Sequence, residues 1–522
     1  MVHSFTQRSL ETGQRVLTRR SSQARKAHGQ FLTPEPLARF VVEQLGTIKD
    51  GDRILDPAMG SGTLPCAIIE RLIAENKPIE VWIDGFELDD ELFTAAQSIL
   101  NEAVICAAKH DVQVHLNLFH ADFIMNGLQF LRPTLLDTPV GHRSYHHIIA
   151  NPPYFKINTT DMRRQMAESI LSGHTNIYTL FMGLAARILD NGTACFIVPR
   201  SFCSGSYFTC FRQEFLDTVT VQHIHLFESR SDAFSQDDVL QENLVITFRP
   251  QNEVRDSRVK ISSSATLDEL AHGVAARQIT KTQFISPVGL LRLPTSELDE
   301  MILEVVDHWT GSFHAYGLAI STGPVVPFRA EEYLIHEPNG ISVVPLFWMQ
   351  HLTSHQIIWP LNHGFRKPQH ILNISGTKSL LVENTNYVLL RRFSAKEEQR
   401  RLVAAPYLAD QFDYALIGLE NHLNFIYRRD EEMSKAEVVG LSALLNSGLI
   451  DRYFRISNGN TQVNATELRA LPLPPLQVIT AIGQAVMKVV TAVDLDVIVV
   501  QTLQTYLLVP PDFPILRETR AV

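Results

Sequence analysis

Residues 53–62 read Arg-Ile-Leu-Asp-Pro-Ala-Met-Gly-Ser-Gly, a short apolar segment followed at once by a glycine-rich turn. The first three residues predict a buried strand, and Thr63 to Ala74 has the apolar spacing of an amphipathic helix. A second apolar strand, Val81 to Phe86, follows and ends at Glu87. This succession predicts a βαβ unit, from which doubly wound α/β sheets are built.

The acidic residues of this unit indicate which ligand the turn holds. A carboxylate at the end of the second strand, where Glu87 lies, typically accepts hydrogen bonds from a ribose. Asp56 lies inside the turn, which disfavours a pyrophosphate and suits a ligand with an ammonium or sulfonium group. A glycine-rich turn alone is weak evidence, but the turn and both acids together are stronger.

Two further strands end in polar residues. Val112 to Phe119 precedes Asp122-Phe123, and an acid followed by an aromatic can bond to and stack on a purine, although Asp is also a common helix N-cap. His147 to Ala150 is short and apolar, as a parallel strand covered on both faces is, and it ends at Asn151. Ligands in doubly wound sheets bind outside the carboxyl ends of the strands, so we expect these residues to meet the two acids of the βαβ unit.

The tetrapeptide Asn151-Pro152-Pro153-Tyr154 predicts a rigid corner. Each proline fixes φ near about −65° and lacks an N–H, and a residue before proline is kept out of the helical region. The corner therefore presents one carboxamide, carbonyls without competing donors and an aromatic ring, which suits a planar substrate with an NH2 group. An ordinary Asn-Pro loop turn is the alternative, and the strand ends before the corner decide against it.

Three more strands complete the predicted sheet. They are Thr193–Val198, Val219–Phe227 and Leu244–Phe248. The fold class is therefore α/β, with a doubly wound, mostly parallel seven-stranded sheet that has an antiparallel edge strand.

The periodicity breaks down after about residue 250, where strand-like pieces alternate with Gly/Pro turns. A helix is predicted at Leu441 to Phe454, and a terminal helix pair at Leu476 to Leu508. We expect a basic N-terminal arm or helix at 1–28, a catalytic domain at 29–250, a mixed α+β target-recognition domain at 251–475 and a C-terminal helical segment at 476–522.

The composition is that of an ordinary globular protein, since 45% of the 522 residues are hydrophobic and 20% are charged. Five scattered cysteines with no CxxC pair argue against a zinc site or disulfides and favour a reducing cytoplasm. The sequence contains no uncharged apolar run of about 18 residues, so we expect no membrane span. We expect a cytoplasmic protein without a metal.

The net charge of −10 does not suggest a nucleic-acid-binding protein, but the charge is unevenly distributed. Residues 1–30 carry six Lys/Arg against one acid, and residues 361–401 carry eight against three Glu. Such local basic faces can contact phosphates, although a solvated surface is the simpler interpretation.

In this order, the motifs resemble those of S-adenosylmethionine-dependent DNA adenine-N6 methyltransferases of the gamma (TaqI-like) type, found in restriction–modification systems. The resemblance covers residues 28–250 motif by motif and the remainder only in plan. It implies a class I, Rossmann-like methyltransferase fold. It also implies S-adenosyl-L-methionine as methyl donor and double-stranded DNA as partner.

The resemblance assigns the cofactor-binding residues in four groups. The first group resembles the segment that cradles the methionine end, the second the main cofactor loop, the third the ribose-binding acid and its neighbour, and the fourth the adenine-binding pair. They are Phe31, Thr33 and Pro34; Asp56, Pro57, Ala58, Gly60 and Gly62; Glu87 and Leu88; and Asp122 and Phe123, with Asn151 also at the cofactor.

The catalytic residues implied by the resemblance are Asn151, Pro152, Pro153, Tyr154 and Phe234. The Asn151 side-chain oxygen and the Pro152 carbonyl would bond the two hydrogens of adenine N6 and favour its tetrahedral, attacking form. The base must leave the duplex, and Tyr154 and Phe234 are the expected aromatic clamp. Ser235 stands where the family often has proline, which makes the Phe234 assignment the least secure.

Three alternatives remain at this point. A methyltransferase for protein glutamine or for guanine in RNA also resembles the Asn-Pro-Pro-Tyr motif, but lacks a C-terminal region of this size. A non-catalytic DNA-binding subunit would not need the intact motif residues. A fused nuclease has no room in the first 28 residues, so a cognate restriction endonuclease would be a separate protein.

Overall fold

The computed structural model describes residues 4–20, 31–131, 144–168, 176–227, 242–251, 258–362, 364–394, 398–458, 463–489 and 494–516. These residues form two compact units that divide between Thr295 and Ser296. Within the described ranges, no helix is both long enough and apolar enough to span a bilayer.

The first unit contains one large sheet in the strand order β3-β2-β1-β4-β5-β7-β6-β8-β9. The first five strands run parallel, and β7 is antiparallel to both of its neighbours. The strands are β1 Arg53–Asp56, β2 Ile79–Glu87, β3 Val112–His120, β4 Tyr145–Ala150, β5 Leu189–Pro199, β6 Val219–Phe227, β7 Asn243–Pro250, β8 Val259–Ser264 and β9 Ala276–Ile279.

Helices cover both faces of this sheet. The α-helices are α1 Phe5–Thr18, α2 Glu35–Glu43, α3 Thr63–Glu75, α4 Asp90–Ala108, α5 Phe123–Leu131, α6 Met162–Ala167, α7 Ile177–Ile188, α8 Thr209–Thr218, α9 Glu269–His272 and α10 Lys281–Phe284, with 3₁₀ turns at Arg200–Cys203 and Ser206–Phe208.

The central strands are buried on both faces, as their short apolar runs predict. Leu55 and Ile148 pack into the core formed with α5, α7 and α8, whereas Ile54 and Ile149 pack into the core formed with α2, α3 and α4. All four side chains are fully excluded from solvent. The carboxyl ends of β1 and β4 are therefore held side by side from both faces.

The predicted class of fold is confirmed, but the sheet is wider than the seven strands expected. Strand β7 lies inside the sheet, and β8 and β9 extend it beyond residue 250, so the first compact unit ends at Thr295. The sequence of β8 is rich in serine and gave no apolar signal. Its buried Ser262 accepts or donates hydrogen bonds with His223 (2.7 Å) and His225 (2.8 Å) of β6.

The second unit is a mixed α+β structure with three separate sheets among its described residues. Their strand orders are β10-β20-β17-β18, β11-β15-β12-β19-β16 and β13-β14. The strands are β10 Leu318–Thr322, β11 Leu334–Ile335, β12 Val343–Phe347, β13 Leu352–Thr353, β14 Gln356–Ile357, β15 His370–Leu372, β16 Leu381–Glu383, β17 Tyr387–Arg391, β18 Ala404–Tyr407, β19 Leu416–Leu419 and β20 Leu423–Arg428.

The helices of the second unit pack closely. Gly440 and Gly483 allow two of them to touch, because an added Cβ would lie 1.9 Å from Ile479 O and 1.8 Å from Ala436 O, respectively. The helices are α11 Glu297–Asp307, α12 Lys435–Asn446, α13 Gly448–Ser457, α14 Ala465–Arg469, α15 Leu476–Lys488 and α16 Leu495–Thr505, with 3₁₀ turns at Pro327–Arg329, Glu331–Tyr333, Met349–His351, Ser375–Leu380 and Ala409–Gln411.

The single helix predicted at Leu441 to Phe454 is wrong in one respect, because it is divided between α12 and α13. Ser447 ends the first helix and caps the second, its hydroxyl accepting from Ile450 N at 3.3 Å. The predicted terminal helix pair is present as α15 and α16.

Candidate active site

A cavity of about 440 Å³ opens at the carboxyl ends of the central strands of the first unit. This size is within the range of small-molecule and cofactor sites. Polypeptide from five separate predicted motifs lines it, including Phe31, Gly60, Glu87, Asp122 and Asn151. The strand-end residues that were predicted to meet therefore lie around one cavity.

The glycine-rich loop wraps one side of the cavity, with Pro57, Ala58 and Gly60 in its wall. Gly60 and Gly62 have φ of 55° and 90°, in the left-handed region that favours glycine. A Cβ on Gly62 would also meet Leu100 Cδ1 at 3.1 Å. Gly62 therefore shapes the loop from behind and does not line the cavity.

Asp56 lies beneath this loop and is almost completely buried. Its Oδ1 accepts from Ala58 N at 3.1 Å, while its Oδ2 has no hydrogen-bond partner among the described residues. Burial raises the pKa of Asp56 to about 8, with Glu87 adding to the rise and the Ala58 N–H opposing it. A buried carboxylate oxygen left open in this way is suited to a cationic group.

Glu87 holds the loop and the following strand end together. Its Oε2 accepts from Gly60 N at 2.9 Å, and its Oε1 accepts from Leu88 N at 2.8 Å and Asp89 N at 2.7 Å. Burial raises the pKa of Glu87, and the three N–H groups oppose that rise. Oε2 retains one lone pair for a ligand hydroxyl, and Leu88 lines the cavity beside it.

Asp122 has the helix N-cap role considered for it, and it also lines the cavity. Its Oδ1 caps α5 by accepting from Ile124 N at 2.8 Å and Met125 N at 3.2 Å. Its Oδ2 lies toward Arg163 Nη1 at 3.7 Å. Phe123 lines the cavity but is buried against Phe181, with ring centroids 5.6 Å apart.

The Asn151 side chain is oriented by contacts at both ends. Its Nδ2 donates to Phe31 O at 3.0 Å and to Thr33 Oγ1 at 3.1 Å. Its Oδ1 lies 2.5 Å from the hydroxyl of Tyr154, which also lies 2.9 Å from Ile197 O. Burial raises the pKa of Tyr154 well above its ordinary value, so the hydroxyl stays protonated and acts as the donor. Asn151 Oδ1 keeps a second lone pair for a substrate.

The segment Phe31 to Pro34 lines the cavity in part, and it also orients Asn151, a role that the sequence did not predict. Phe31 lines the cavity, but Thr33 is buried and contacts Asn151. Pro34 is the N-cap of α2 and lies outside the cavity wall. The Phe31 ring also stacks on Tyr154, with centroids 5.7 Å apart, so one face of Tyr154 is covered.

The basic N-terminal segment is a helix over Phe5–Thr18, packed behind the glycine-rich loop. Ser9 Oγ donates to Ser61 O at 2.6 Å, and a Cβ on Gly13 would clash with Ser61 Oγ at 2.6 Å. Arg20 binds Asp89 through two hydrogen bonds, of 2.5 and 2.9 Å. Sequence reasoning missed this packing because a small polar helix face gives no apolar pattern.

Other cavity residues were also not predicted. Phe155, Arg163, Ile177 and Phe181 lie in the wall, beyond the Asn-Pro-Pro-Tyr corner. Nothing in the sequence of this segment distinguishes Arg163 from a solvated residue. Pro153 lines the cavity, whereas Pro152 and Tyr154 are buried beside it. Phe234 lies outside the described residues.

These residues fit S-adenosylmethionine. Asp56 is not in the cavity wall, but its buried Oδ2 has no hydrogen-bond partner among the described residues and offers one for a cationic group; Glu87 offers a partner for ribose hydroxyls, and Asp122 offers one for an amino group. Among the described residues, no group of three or more His, Cys, Asp or Glu is arranged to hold a metal ion.

Comparison with known proteins places the chain among restriction–modification methylases. A family model described as the Eco57I restriction-modification methylase matches residues 70–234. The type II methyltransferase M.BsuBI of Bacillus subtilis is 32% identical over 469 residues, which cover 88% of this chain and 90% of that protein. The type II methyltransferase M.PstI of Providencia stuartii is 32% identical over 450 residues, or 85% and 87% of the two chains.

Solved structures show the same fold at low identity. The type IIL restriction–modification enzyme MmeI, in complex with DNA, superposes with a TM-score of 0.55 at 11% identity and covers 84% of this chain and 64% of that chain. A DrdV–DNA complex gives a TM-score of 0.50 at 14% identity, with 92% and 59% covered.

Replacing Thr33 by valine tests whether this residue orients Asn151 or binds the cofactor. The substitution keeps the shape but removes one acceptor of Asn151 Nδ2, so kcat should fall between about twofold and tenfold while the cofactor dissociation constant changes less. Turnover assays and isothermal titration calorimetry measure the two effects. Weaker binding with unchanged kcat would contradict the orienting role.

The raised pKa of Asp56 predicts proton release when a cationic cofactor binds. Below about pH 8 the carboxyl is mostly protonated without ligand, and a bound cation favours its ionised form, so S-adenosylmethionine affinity should rise about tenfold per pH unit and level off above about pH 8. Calorimetry in two buffers of different ionisation enthalpy counts the proton. The Asp56→Asn protein should lose this proton, and an unmodified protein that releases none near neutral pH would contradict the assignment.

Proposed function

The chain belongs to the type II methyltransferases of restriction–modification systems, and from this premise we propose that it transfers a methyl group from S-adenosylmethionine to N6 of adenine in a specific double-stranded DNA sequence. The adenine-N6 assignment is supported by Asn151, which lines the cavity: its Nδ2 is occupied by Phe31 O and Thr33 Oγ1, while its Oδ1 meets the Tyr154 hydroxyl and keeps a second lone pair. Such a site accepts a hydrogen bond from a planar amine.

Asn151 Oδ1 and the Pro152 carbonyl oxygen accept hydrogen bonds from the two N–H groups of the target amine. The adenine lone pair is delocalised into the ring, and two acceptors favour the tetrahedral nitrogen that attacks. The amine is neutral, so the reaction does not require a general base before attack. Holding the nitrogen in line with the methyl group supplies the proximity effect, worth about 7–11 kcal/mol in favourable cases.

Tyr154 and the first motif keep this acceptor fixed. The Tyr154 hydroxyl and the Phe31 carbonyl hold opposite ends of the Asn151 amide, which prevents its exchange of ends. The target base leaves the duplex and stacks on an aromatic clamp, for which Tyr154 and Phe234 remain the proposed members. In the described structure Tyr154 is buried, stacked on Phe31 and edge-on to Tyr178 with ring centroids 6.2 Å apart, so its proposed contact with the base requires that the ring become exposed.

The chain holds the methyl donor with residues of four motifs. S-adenosylmethionine supplies an electrophilic sulfonium methyl group when bound. Asp56 contacts its cationic end, Glu87 its ribose hydroxyls and Asp122 its adenine amino group. Phe31, Pro57 and Ala58 form the walls that exclude water.

We assign DNA recognition to the second unit. In its basic stretch 361–401, two arginines are buried and two other cationic residues lie beside aromatic rings. Arg400 and Arg401 are buried, and Arg400 binds Asp496 at 2.5 Å, so they stabilise the fold. Lys367 and Arg392 instead flank aromatic rings: Lys367 Nζ lies 4.4 Å from the Trp348 centroid and Arg392 Cζ 5.8 Å from the Phe393 centroid.

His422 lies beside the Arg392–Phe393 pair, and the Glu420 carboxylate that it bonds also interacts electrostatically with Lys367. His422 lies edge-on to Phe393, with centroids 5.1 Å apart, and its Nδ1 bonds the fully buried carboxylate of Glu420. We name Trp348, Lys367, Arg392, Phe393 and His422 the cation–aromatic strip. Cationic groups beside rings suit a DNA backbone, and the exposed Phe393 ring suits its bases, whereas Trp348 is buried and supports Lys367. The cognate restriction endonuclease is proposed to be a separate protein, and the site of action the cytoplasm.

The reaction is tested by incubating the protein with methyl-labelled S-adenosylmethionine and mixed-sequence duplex DNA, then digesting the DNA to nucleosides. N6-methyl-2′-deoxyadenosine should carry the label. Asn151→Ala should lower transfer at least about a hundredfold, as loss of an electrostatic catalytic contact does, while cofactor binding is retained. Label found on RNA or protein, with none in DNA, would show that the proposed substrate is wrong.

The cation–aromatic strip is tested by the salt dependence of DNA binding. If Lys367 and Arg392 contact phosphates, Lys367→Gln and Arg392→Gln should each reduce the slope of log K against log salt by about 0.9. Arg429→Gln is the matched control, because Arg429 is exposed just beyond the opposite end of β20 from His422. Unchanged slopes in both strip variants would exclude the strip as a phosphate contact.

A further inference from the structure

Arg163 reaches the cavity from α6, the short helix that follows the catalytic corner. Its Nε and Nη2 donate to the two carboxylate oxygens of Asp161, at 3.0 and 2.6 Å. Its guanidinium lies over the ring of Phe155, with Cζ 5.8 Å from the centroid. A bidentate ion pair and a ring contact together fix the plane of the guanidinium.

The third nitrogen of this guanidinium is directed at the cofactor side of the cavity. Nη1 lies 3.7 Å from Asp122 Oδ2, which is too long for a hydrogen bond. The other oxygen of Asp122 is already occupied by the backbone of α5. The cavity wall therefore presents one donor, Arg163 Nη1, beside one acceptor, Asp122 Oδ2, and neither satisfies the other.

A ligand edge that places an acceptor beside a donor matches this pair. Adenine has such an edge on both sides of its amino group, because N1 and N7 are acceptors that flank the N6 donor. The neighbouring wall is aromatic, with Phe123 stacked on Phe181. A guanidinium held flat at this place therefore complements an adenine in both charge and shape.

We propose that Arg163 is a cofactor-binding residue that donates from Nη1 to the ring nitrogen beside the amino group of S-adenosylmethionine, while Asp122 Oδ2 accepts from that amino group. This inference rests on the proposed function, since it presumes that the cavity holds the methyl donor. It assigns a role in cofactor selection to the segment after the Asn-Pro-Pro-Tyr corner. Asp161, which holds the guanidinium, is then a positioning residue.

The test is direct binding of the donor, measured by isothermal titration calorimetry without DNA. Arg163→Met removes the donors and keeps much of the side-chain length, so the dissociation constant of S-adenosylmethionine should rise about ten- to a hundredfold. Arg164→Met is the matched control. Arg164 lies next to it on α6, donates to Ile157 O at 3.4 Å and does not line the cavity, so its loss should change affinity less than about twofold.

Two donor analogues identify the contacted atom, one with CH in place of N1 and one with CH in place of N7. The unmodified protein should bind one of them more weakly by the factor that Arg163→Met causes. With that analogue the Arg163→Met substitution should cause no further loss, as a double-mutant cycle requires of a direct contact.

Other results would overturn the proposal. An equal Arg163→Met loss with both analogues and with the natural donor would mean that Arg163 only supports the cavity wall. A loss that disappears with a decarboxylated donor would mean that Arg163 binds the methionine carboxylate. Absence of S-adenosylmethionine binding by the unmodified protein would overturn the proposed function as well, whereas normal binding by Arg163→Met would overturn this inference alone.

Discussion

The structure depends on the direction of one amide. Asn151 has a donor end and an acceptor end, and they are not interchangeable once Phe31 O and Thr33 Oγ1 accept from Nδ2 and the Tyr154 hydroxyl meets Oδ1. Reversal would set Oδ1 against two oxygens and leave buried groups unpaired, which is unfavourable by about 1–3 kcal/mol for each group. A segment 120 residues earlier in the chain thus determines which atom of Asn151 meets the substrate.

The cofactor side of the cavity follows a complementary electrostatic rule. The Asn151 amide is satisfied at its donor end before any ligand binds, whereas Asp56 is buried with one oxygen unpaired and a pKa raised to about 8. The Asn151 amide is preorganised, whereas the ionised form of Asp56 is unfavourable until a cation binds beside it. Binding the methyl donor therefore releases free energy at Asp56, while the Asn151 acceptor needs no rearrangement during the reaction.

The sequence was sufficient for the first seven strands and for the strand-end residues, because short apolar runs, glycine turns and acids at fixed positions are local signals. It could not show that Thr33 contacts Asn151, or that Arg163 enters the cavity, since both depend on long-range packing of polar side chains. Strand β8 was missed for a related reason: its buried residues include Ser262, whose partners are histidines on another strand. Phe234 lies outside the described residues, so its role stays a prediction.

The packing of α1 has a consequence for how the chain matures during synthesis. This helix is synthesised before its partners Ser61, Glu70 and Glu102, which follow 52 to 94 residues later in the chain. A marginal amphipathic helix gains most of its stability from such tertiary contacts. The nascent cofactor loop is therefore completed from behind only after α4 has emerged, which couples α1 to the last step in assembling the loop.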